Sequence, residues 1–178
     1  MFGIINNFID RNYTNNLLEE IPFNKDKIMI NGIEMKENRF TYWMSDLNKN
    51  YKYGGKIMKP NKLSNTVKII QNKVKEIYGL YFDSVLINFY ENGNIGMNYH
   101  SDETYNEWSE ESVIVSFGGE RKVIFRCIND YEQKVEYICK NGDLIFMKEG
   151  CQSKYQHKVC KNKLAKKRIS LVFKRSLV

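Results

Sequence analysis

The chain has 178 residues, of which 42% are apolar and 28% charged, and it contains 2 prolines. This composition excludes intrinsic disorder, collagen and low-complexity linkers, and the length fits one domain. No apolar run approaches the ~18 residues of a membrane span, and the first residues lack the basic and apolar regions of a secretory signal. We therefore expect a monomer without a membrane partner that stays inside a cell, in the nucleus or the cytoplasm.

The net charge of +7 is concentrated towards the end of the chain. Residues 113–178 hold 15 basic and 6 acidic side chains, and the stretch from Lys158 to Arg175 contains no acid. A basic face of this kind attracts a polyanion such as nucleic acid. A solubilising surface in a lysine-rich chain explains the charge equally well.

The first half of the chain predicts two helices and a hairpin. The segment from Asp10 to Glu20 has one apolar side and is closed by Pro22. Lys27 to Met35 indicates two short strands around an Asn31-Gly32 turn. A second helix follows Pro60, begins with Ser64 or Asn65 as its cap and ends at Gly79. Its apolar residues recur at helical spacing: Val67, Ile70, Val74, Ile77 and Tyr78.

From residue 83 onwards the apolar residues recur with a period of two. Short alternating segments separated by polar turns predict a sandwich or a jelly roll rather than a βαβ sheet. The predicted strands are Ser84–Tyr90, Ile95–Tyr99, Ser112–Phe117, Lys122–Cys127, Lys134–Ile138, Asp143–Met147, Tyr155–Val159 and Arg168–Lys174.

Four cysteines lie in the second half of the chain. They are widely spaced and form no C-x-x-C pair, which argues against a zinc staple. A disulfide framework needs an oxidising compartment. We expect free thiols at Cys127, Cys139, Cys151 and Cys160.

The two histidines of the chain both fall in strand-like segments. His100 and Asp102 are two residues apart, so on extended backbone their side chains point to the same face. His157 lies in another alternating segment. Two histidines and one carboxylate form the facial triad of non-haem Fe(II) oxygenases. Taken alone, H-x-D also fits a structural histidine beside an aspartate.

Arg168 strengthens the iron interpretation. It follows His157 by eleven residues and opens the apolar strand Arg168–Lys174, where an arginine is costly unless it meets an anion. The distal carboxylate of 2-oxoglutarate would suit its guanidinium fork. The alternative is an arginine at a strand edge that extends to water.

Several ordered motifs together resemble the AlkB family of Fe(II)- and 2-oxoglutarate-dependent dioxygenases. The resemblance covers residues from about 28 to 176. Its motifs are Leu86–Tyr90 with Gly93, His100–Asp102, Ser116–Gly118, Asn141–Met147, His157 and Arg168–Phe173.

The resemblance implies a mainly β, α+β fold with a double-stranded β-helix (jelly-roll) core. In this single domain, 1–178, residues 1–60 would form the N-terminal helix, hairpin and substrate lid, 61–82 a supporting helix and 83–178 the core. The implied activity is demethylation of N-alkylated bases such as 1-methyladenine and 3-methylcytosine in nucleic acid, with O2 and 2-oxoglutarate consumed and formaldehyde, succinate and CO2 released. The implied iron ligands are His100, Asp102 and His157, and the implied 2-oxoglutarate contacts are Asn88, Tyr90 and Arg168.

The segment around Arg39, Asp46 and Tyr51–Gly55 resembles the substrate lid of the family. In that lid aromatic side chains flank the flipped base, so Tyr51 and Tyr53 are predicted to stack on it and Arg39 to contact substrate. Ordinary structural tyrosines are the alternative, because stacking needs only an aromatic face.

The chain departs from the family pattern at four places. The family usually has a second arginine six residues after the first, and this chain has Lys174 there. Lys174 is predicted to contact 2-oxoglutarate with its positive charge, but it lacks the two-pronged guanidinium of an arginine. The acid expected near the base is Glu103 rather than residue 104. The lid carries Met44-Ser45 in place of Tyr-Gly. The hairpin tip at Asn31 has no aromatic wedge, which predicts single strands over duplex.

Three other functions fit the same residues. The triad and Arg168 would serve a 2-oxoglutarate oxygenase that acts on protein. An inert iron site would leave a nucleic-acid-binding module. A zinc hydrolase would use the same three ligands without a cosubstrate.

Overall fold

A computed structural model describes residues 1–177, which form fourteen strands and three helices. The helices are α1 (Thr14–Glu20), α2 (Asn65–Tyr78) and α3 (Cys151–Lys154). The strands are β1 (Phe2–Ile5), β2 (Lys27–Ile30), β3 (Ile33–Lys36), β4 (Phe40–Ser45), β5 (Tyr51–Tyr53), β6 (Lys56–Met58), β7 (Ser84–Tyr90), β8 (Met97–His100), β9 (Trp108–Gly118), β10 (Arg121–Cys127), β11 (Lys134–Cys139), β12 (Leu144–Met147), β13 (Tyr155–Val159) and β14 (Arg168–Ser176).

Most strands belong to two antiparallel sheets. The larger sheet has the order β1-β12-β9-β14-β7-β4, and the smaller has the order β11-β10-β13-β8. Two hairpins, β2–β3 and β5–β6, lie outside them. This arrangement confirms the predicted mainly β jelly-roll fold with flanking helices.

The larger sheet buries both of its faces, each against a different layer of the molecule. On one face Ile87 and Leu171 pack in a cluster with Leu17 of α1 and Ile70 of α2. Each of these side chains is fully buried, and burying one contributes about 1.5–3 kcal/mol. On the other face Leu86, Ile114 and Val172 meet Val123 and Phe125 of the smaller sheet. The candidate site lies in this second layer.

The predicted hairpin and second helix are confirmed. Lys27 pairs with Lys36 and Ile30 with Ile33 around the Asn31-Gly32 turn. Helix α2 begins after Ser64, whose hydroxyl accepts a hydrogen bond from the Val67 amide, and ends at Gly79 with φ 81°. This left-handed conformation favours glycine.

Helix α1 is shorter than predicted. It begins at Thr14 rather than Asp10, because the Asn12 side chain accepts hydrogen bonds from the Thr14 amide at 3.1 Å and the Thr14 hydroxyl at 2.7 Å. An asparagine bonded in this way favours a turn or a cap over the helix interior.

Two unpredicted strands from the first third of the chain form the edges of the larger sheet. Strand β1 pairs with β12, and β4 pairs with β7. Strand β4 is largely buried on both faces, so its sequence does not alternate, and β1 has four residues. Residues 1–60 therefore contribute strands to the core sheet as well as the predicted hairpin.

All four cysteines are free thiols, as predicted. Within residues 1–177, none of the helices has both the length and the apolar character needed to cross a bilayer. Within the basic stretch Lys158–Arg175, strand β14 buries Arg168 and Lys174 inside the molecule. The predicted basic face therefore depends on the other basic side chains of the stretch and stays a prediction.

Candidate active site

Three predicted ligands converge between the two sheets. His100 ends β8 and lies directly opposite His157 of β13 in the strand register. Asp102 follows His100 by two residues, and its Oδ1 lies 3.7 Å from the Nε2 atoms of both His100 and His157. One ligand atom from each residue lies within 4.8 Å of the others. The three side chains are therefore close enough to bind one ion.

The tautomer of His100 is fixed by a backbone carbonyl. Its Nδ1 lies 2.8 Å from the Asn98 oxygen, and because a carbonyl only accepts, Nδ1 carries the proton. The lone pair is then on Nε2, which faces Asp102. A metal-binding histidine is oriented in the same way by a partner on its other nitrogen.

Burial and neighbouring charges set the protonation states of the triad. Burial, together with His100, lowers the pKa of His157 to about 3, so its imidazole is neutral at pH 7. Burial favours the protonated form of Asp102, but Lys174 and the two imidazoles outweigh it and hold the pKa of Asp102 well below its usual range. Two histidine nitrogens and one carboxylate fit a ferrous ion and leave coordination positions open.

Two side chains that the sequence did not single out support the loop that carries Asp102. The Gln152 side-chain oxygen accepts a hydrogen bond from the Asp102 amide at 2.8 Å. The Ser101 hydroxyl donates to the Tyr155 carbonyl at 2.8 Å. Gln152 lies fifty residues from Asp102 in the chain, and no motif in the sequence pointed to this contact.

The Arg168 side chain is buried inside the molecule. Its Nη2 donates to the Ser116 hydroxyl at 2.8 Å, but its Nε and Nη1 have no hydrogen-bond partner among residues 1–177. The Tyr90 ring lies 5.2 Å from the guanidinium. A buried guanidinium with two unused donors fits an anionic ligand such as the distal carboxylate of 2-oxoglutarate.

Asn88 and Arg39 continue this polar wall. The Asn88 Oδ1 accepts a hydrogen bond from Arg39 Nε at 2.8 Å, and its Nδ2 lies 3.5 Å from the Ser170 hydroxyl. Arg39 is 4% exposed and also donates to the Tyr53 hydroxyl. Arg39 thus connects the predicted cosubstrate residues to the predicted lid.

One cavity of about 220 Å³ contains nearly all the predicted site residues. Its walls include apolar side chains of both sheets, such as Leu86, Val123 and Ile145. The predicted residues that line it are His100, Asp102, His157, Asn88, Tyr90, Arg168, Arg39, Tyr51, Tyr53 and Glu103.

Lys174 is placed differently from the other predicted cosubstrate residues. It is 4% exposed, does not line the cavity, and donates from Nζ to Asp102 Oδ2 at 2.7 Å. Its contact with 2-oxoglutarate stays a prediction, while its contact with the carboxylate of the triad is a feature of the structure.

The lid residues form a layered aromatic stack. The Tyr51 ring lies 4.5 Å from Trp43 and 6.4 Å from Tyr53, in near-parallel planes, with the edge of Trp108 at 6.0 Å. Burial raises the pKa of Tyr51 to about 12, so its phenol is neutral. Tyr51 is 3% exposed, which leaves Tyr53 as the outer ring of the stack. Base stacking by either ring stays a prediction.

Two further predicted residues occupy the edge of this region. Glu103 is exposed at the mouth of the cavity. Asp46, which the lid resemblance included, accepts hydrogen bonds from Gln71 at 2.9 Å and Tyr81 at 2.6 Å and does not line the cavity. Asp46 therefore supports the packing of α2 rather than the site.

Comparison with known proteins places the chain in a family. The model of the 2OG-Fe(II) oxygenase superfamily matches residues 3–174. The uncharacterized protein R406 of Acanthamoeba polyphaga mimivirus is 30% identical over 164 residues, covering 91% of this chain and 85% of the viral protein. The human alpha-ketoglutarate-dependent dioxygenase alkB homolog 3 is 25% identical over 169 residues, covering 89% of this chain and 58% of the human protein.

The fold comparison agrees with these matches. The solved structure of OsALKBH1 superposes with a TM-score of 0.70 at 14% identity and covers 98% of this chain and 96% of that one. The predicted resemblance is confirmed, and with it the cofactors Fe(II) and 2-oxoglutarate. The chain belongs to the 2OG-Fe(II) oxygenase superfamily, is a dioxygenase, and resembles the AlkB proteins within that superfamily.

Proposed function

We propose that the enzyme demethylates N-alkylated bases, such as 1-methyladenine and 3-methylcytosine, in single-stranded nucleic acid. The reaction consumes O2 and 2-oxoglutarate and releases formaldehyde, succinate and CO2. The observation that carries the proposal is the position of the Tyr53 ring, which borders the same small cavity as His100, Asp102 and His157. A planar base beside Tyr53 would have an aromatic partner and present its methyl group towards the triad.

The side chains of this enzyme bind, orient and exclude water. Ferrous iron, when held by the triad, supplies the oxidative chemistry with O2 and 2-oxoglutarate. In the proposal Arg168 binds the distal carboxylate of 2-oxoglutarate with its unpaired Nε and Nη1. Lys174 keeps Asp102 ionised, so that the triad retains its negative charge. The apolar walls at Leu86 and Ile145 keep water away from the reacting atoms.

Methylation of the pairing edge supports substrate selection. A base that has lost its Watson–Crick edge leaves the stack at low cost, which favours its entry into a pocket. The hairpin tip at Asn31-Gly32 carries no aromatic side chain that could replace an extruded base in a duplex. Single strands, which need no such replacement, are the expected substrates. We also propose that the enzyme is a monomer and acts inside a cell.

Formaldehyde release tests this function directly. Purified enzyme with Fe(II) and 2-oxoglutarate is incubated with oligonucleotides that contain one 1-methyladenine or one 3-methylcytosine. Each is tested as DNA and as RNA, in single-stranded and duplex form, and the unmethylated sequence is the control. We expect formaldehyde and succinate in equal amounts, with the single strand faster. A methylated peptide that is turned over while every oligonucleotide is inert would assign the enzyme to protein substrates instead.

A further inference from the structure

A second, larger groove opens beside the catalytic cavity. It has a volume of about 830 Å³ and lies between the β2–β3 hairpin and the paired strands β8 and β13. Arg39, Tyr53, Met97, His100 and Val159 line both the groove and the cavity. A chain lying in the groove would therefore pass the mouth of the cavity beside His100.

The groove carries positive charge, mostly on the β13 side. Lys158 and Lys161 project from β13 and the loop after it, and Lys36 stands on the hairpin. Among residues 1–177 these three lysines have no carboxylate partner in a salt bridge. Glu37 is the one acid among the described lining residues, and it is buried and bonded to Lys56 at 3.0 Å. The groove thus offers unneutralised positive charge to a polyanion.

Apart from Lys36 at its end, the hairpin lines the groove with apolar side chains. Ile30 and Met35 are 46% and 49% exposed, although both are large aliphatic side chains. Tyr99 lies on the β8 side, where its ring is held 3.7 Å from the Arg126 guanidinium. A wall of phosphate-binding lysines opposite a wall of exposed apolar side chains matches a single strand, whose phosphates and base faces are both accessible. In a duplex the base faces stack on one another and cannot contact protein side chains.

We propose that this groove binds the strand on one side of the modified nucleotide, with phosphates on Lys158 and Lys161 and bases against Ile30 and Met35. This rests on the proposed function for the identity of the strand, and it adds the surface that holds it. The groove would set affinity for unmodified sequence, whereas the catalytic cavity accepts the methylated base.

Binding of an unmodified, fluorescent single-stranded oligonucleotide tests the groove by anisotropy at several salt concentrations. Replacing Lys158 and Lys161 together by Gln should weaken binding about tenfold and reduce the slope of log affinity against log salt by about 1.4, because each single-strand phosphate contact contributes about 0.7. Lys134→Gln with Lys140→Gln, on the far edge strand β11 and the turn after it, is the matched control and should change neither value.

The apolar wall gives an independent measurement. Ile30→Ser with Met35→Ser should weaken binding without changing the salt slope, because the lost contacts carry no charge. Thermal unfolding of each variant establishes that it is folded. Three results would contradict the proposed groove. The Lys158 and Lys161 variant could keep its affinity, the control variant could lose as much affinity, or poly-glutamate could compete with the oligonucleotide as well as unlabelled nucleic acid does.

Failure of the groove is distinguishable from failure of the proposed function. Wild-type enzyme that binds the unmodified strand through the groove but releases no formaldehyde from any methylated strand would refute only the function. If the wild-type enzyme demethylates oligonucleotides and the Lys158 and Lys161 variant binds the unmodified strand with full affinity, only the groove proposal is refuted.

Discussion

Lys174 and Asp102 form a buried ion pair directly behind the metal-ligand triad, with Nζ 2.7 Å from Oδ2. Their side chains are 5% and 15% exposed, so neither charge is well solvated. Burial opposes the charged form of Lys174, but Asp102 outweighs it and raises the pKa of the lysine above its ordinary value. The lysine thus neutralises one oxygen of Asp102, while the other faces the two imidazoles.

Replacing Lys174 should destabilise the metal-free protein. Lys174→Met leaves the Asp102 carboxylate buried without its partner, and breaking a buried pair in this way costs about 3–5 kcal/mol. Urea unfolding measures the loss. Lys174→Met combined with Asp102→Asn removes both charges and should recover part of the stability. A single variant as stable as the wild type would show that the pair contributes nothing.

His100→Ala should abolish activity with little effect on folding. The side chain is 28% exposed, so its removal leaves no large buried cavity. Losing a direct ligand should reduce formaldehyde release by more than about 100-fold, since losing an outer partner alone costs 10–100-fold. The circular dichroism spectrum should not change. Full activity of His100→Ala would refute the iron site. The Asp102→Ala variant should also lose activity, and in addition it should unfold more easily because Lys174 loses its partner.

Arg168 should stabilise the protein only when cosubstrate is bound. With two unpaired buried donors it has a desolvation cost, so Arg168→Met should be no less stable than the wild type without 2-oxoglutarate. At 100 times its Kd, 2-oxoglutarate should add about 2.7 kcal/mol to the wild type and nothing to the variant. Thermal shift with and without 2-oxoglutarate measures both. An equal shift in the variant would place the cosubstrate elsewhere.

The local part of the fold and site was predictable from the sequence. Ser84–Tyr90 is a strand with the predicted bounds, because its alternation matches a sheet with helices on one face and the cavity on the other. The two-residue spacing of His100 and Asp102 likewise places both on one side of the backbone. These patterns depend only on neighbouring residues and on the period of a strand.

The long-range part was not predictable in the same way. Lys174 meets Asp102 across 72 residues of chain, and neither its charge nor its spacing specifies that partner. Strand β4 lacks alternation because it is largely buried on both faces, so its place at a sheet edge depends on β7. For the other basic residues after Lys158, the sequence does not show which side chains face solvent, because that depends on how the strands pack.

Gln152 should position Asp102 for the metal without carrying any of the chemistry. Its side-chain oxygen fixes the Asp102 amide, and its Nε2 lies 3.3 Å from the Met147 sulfur. Gln152→Ala should weaken Fe(II) affinity 10–100-fold, as loss of an outer-sphere partner does, while Gln152→Glu keeps the acceptor and should retain more of it. The affinity is measured by titrating the metal-free protein with Fe(II) and 2-oxoglutarate under anaerobic conditions, with visible absorption as the readout. If both variants bind iron as the wild type does, the ion pair with Lys174 alone is sufficient to hold Asp102 in place.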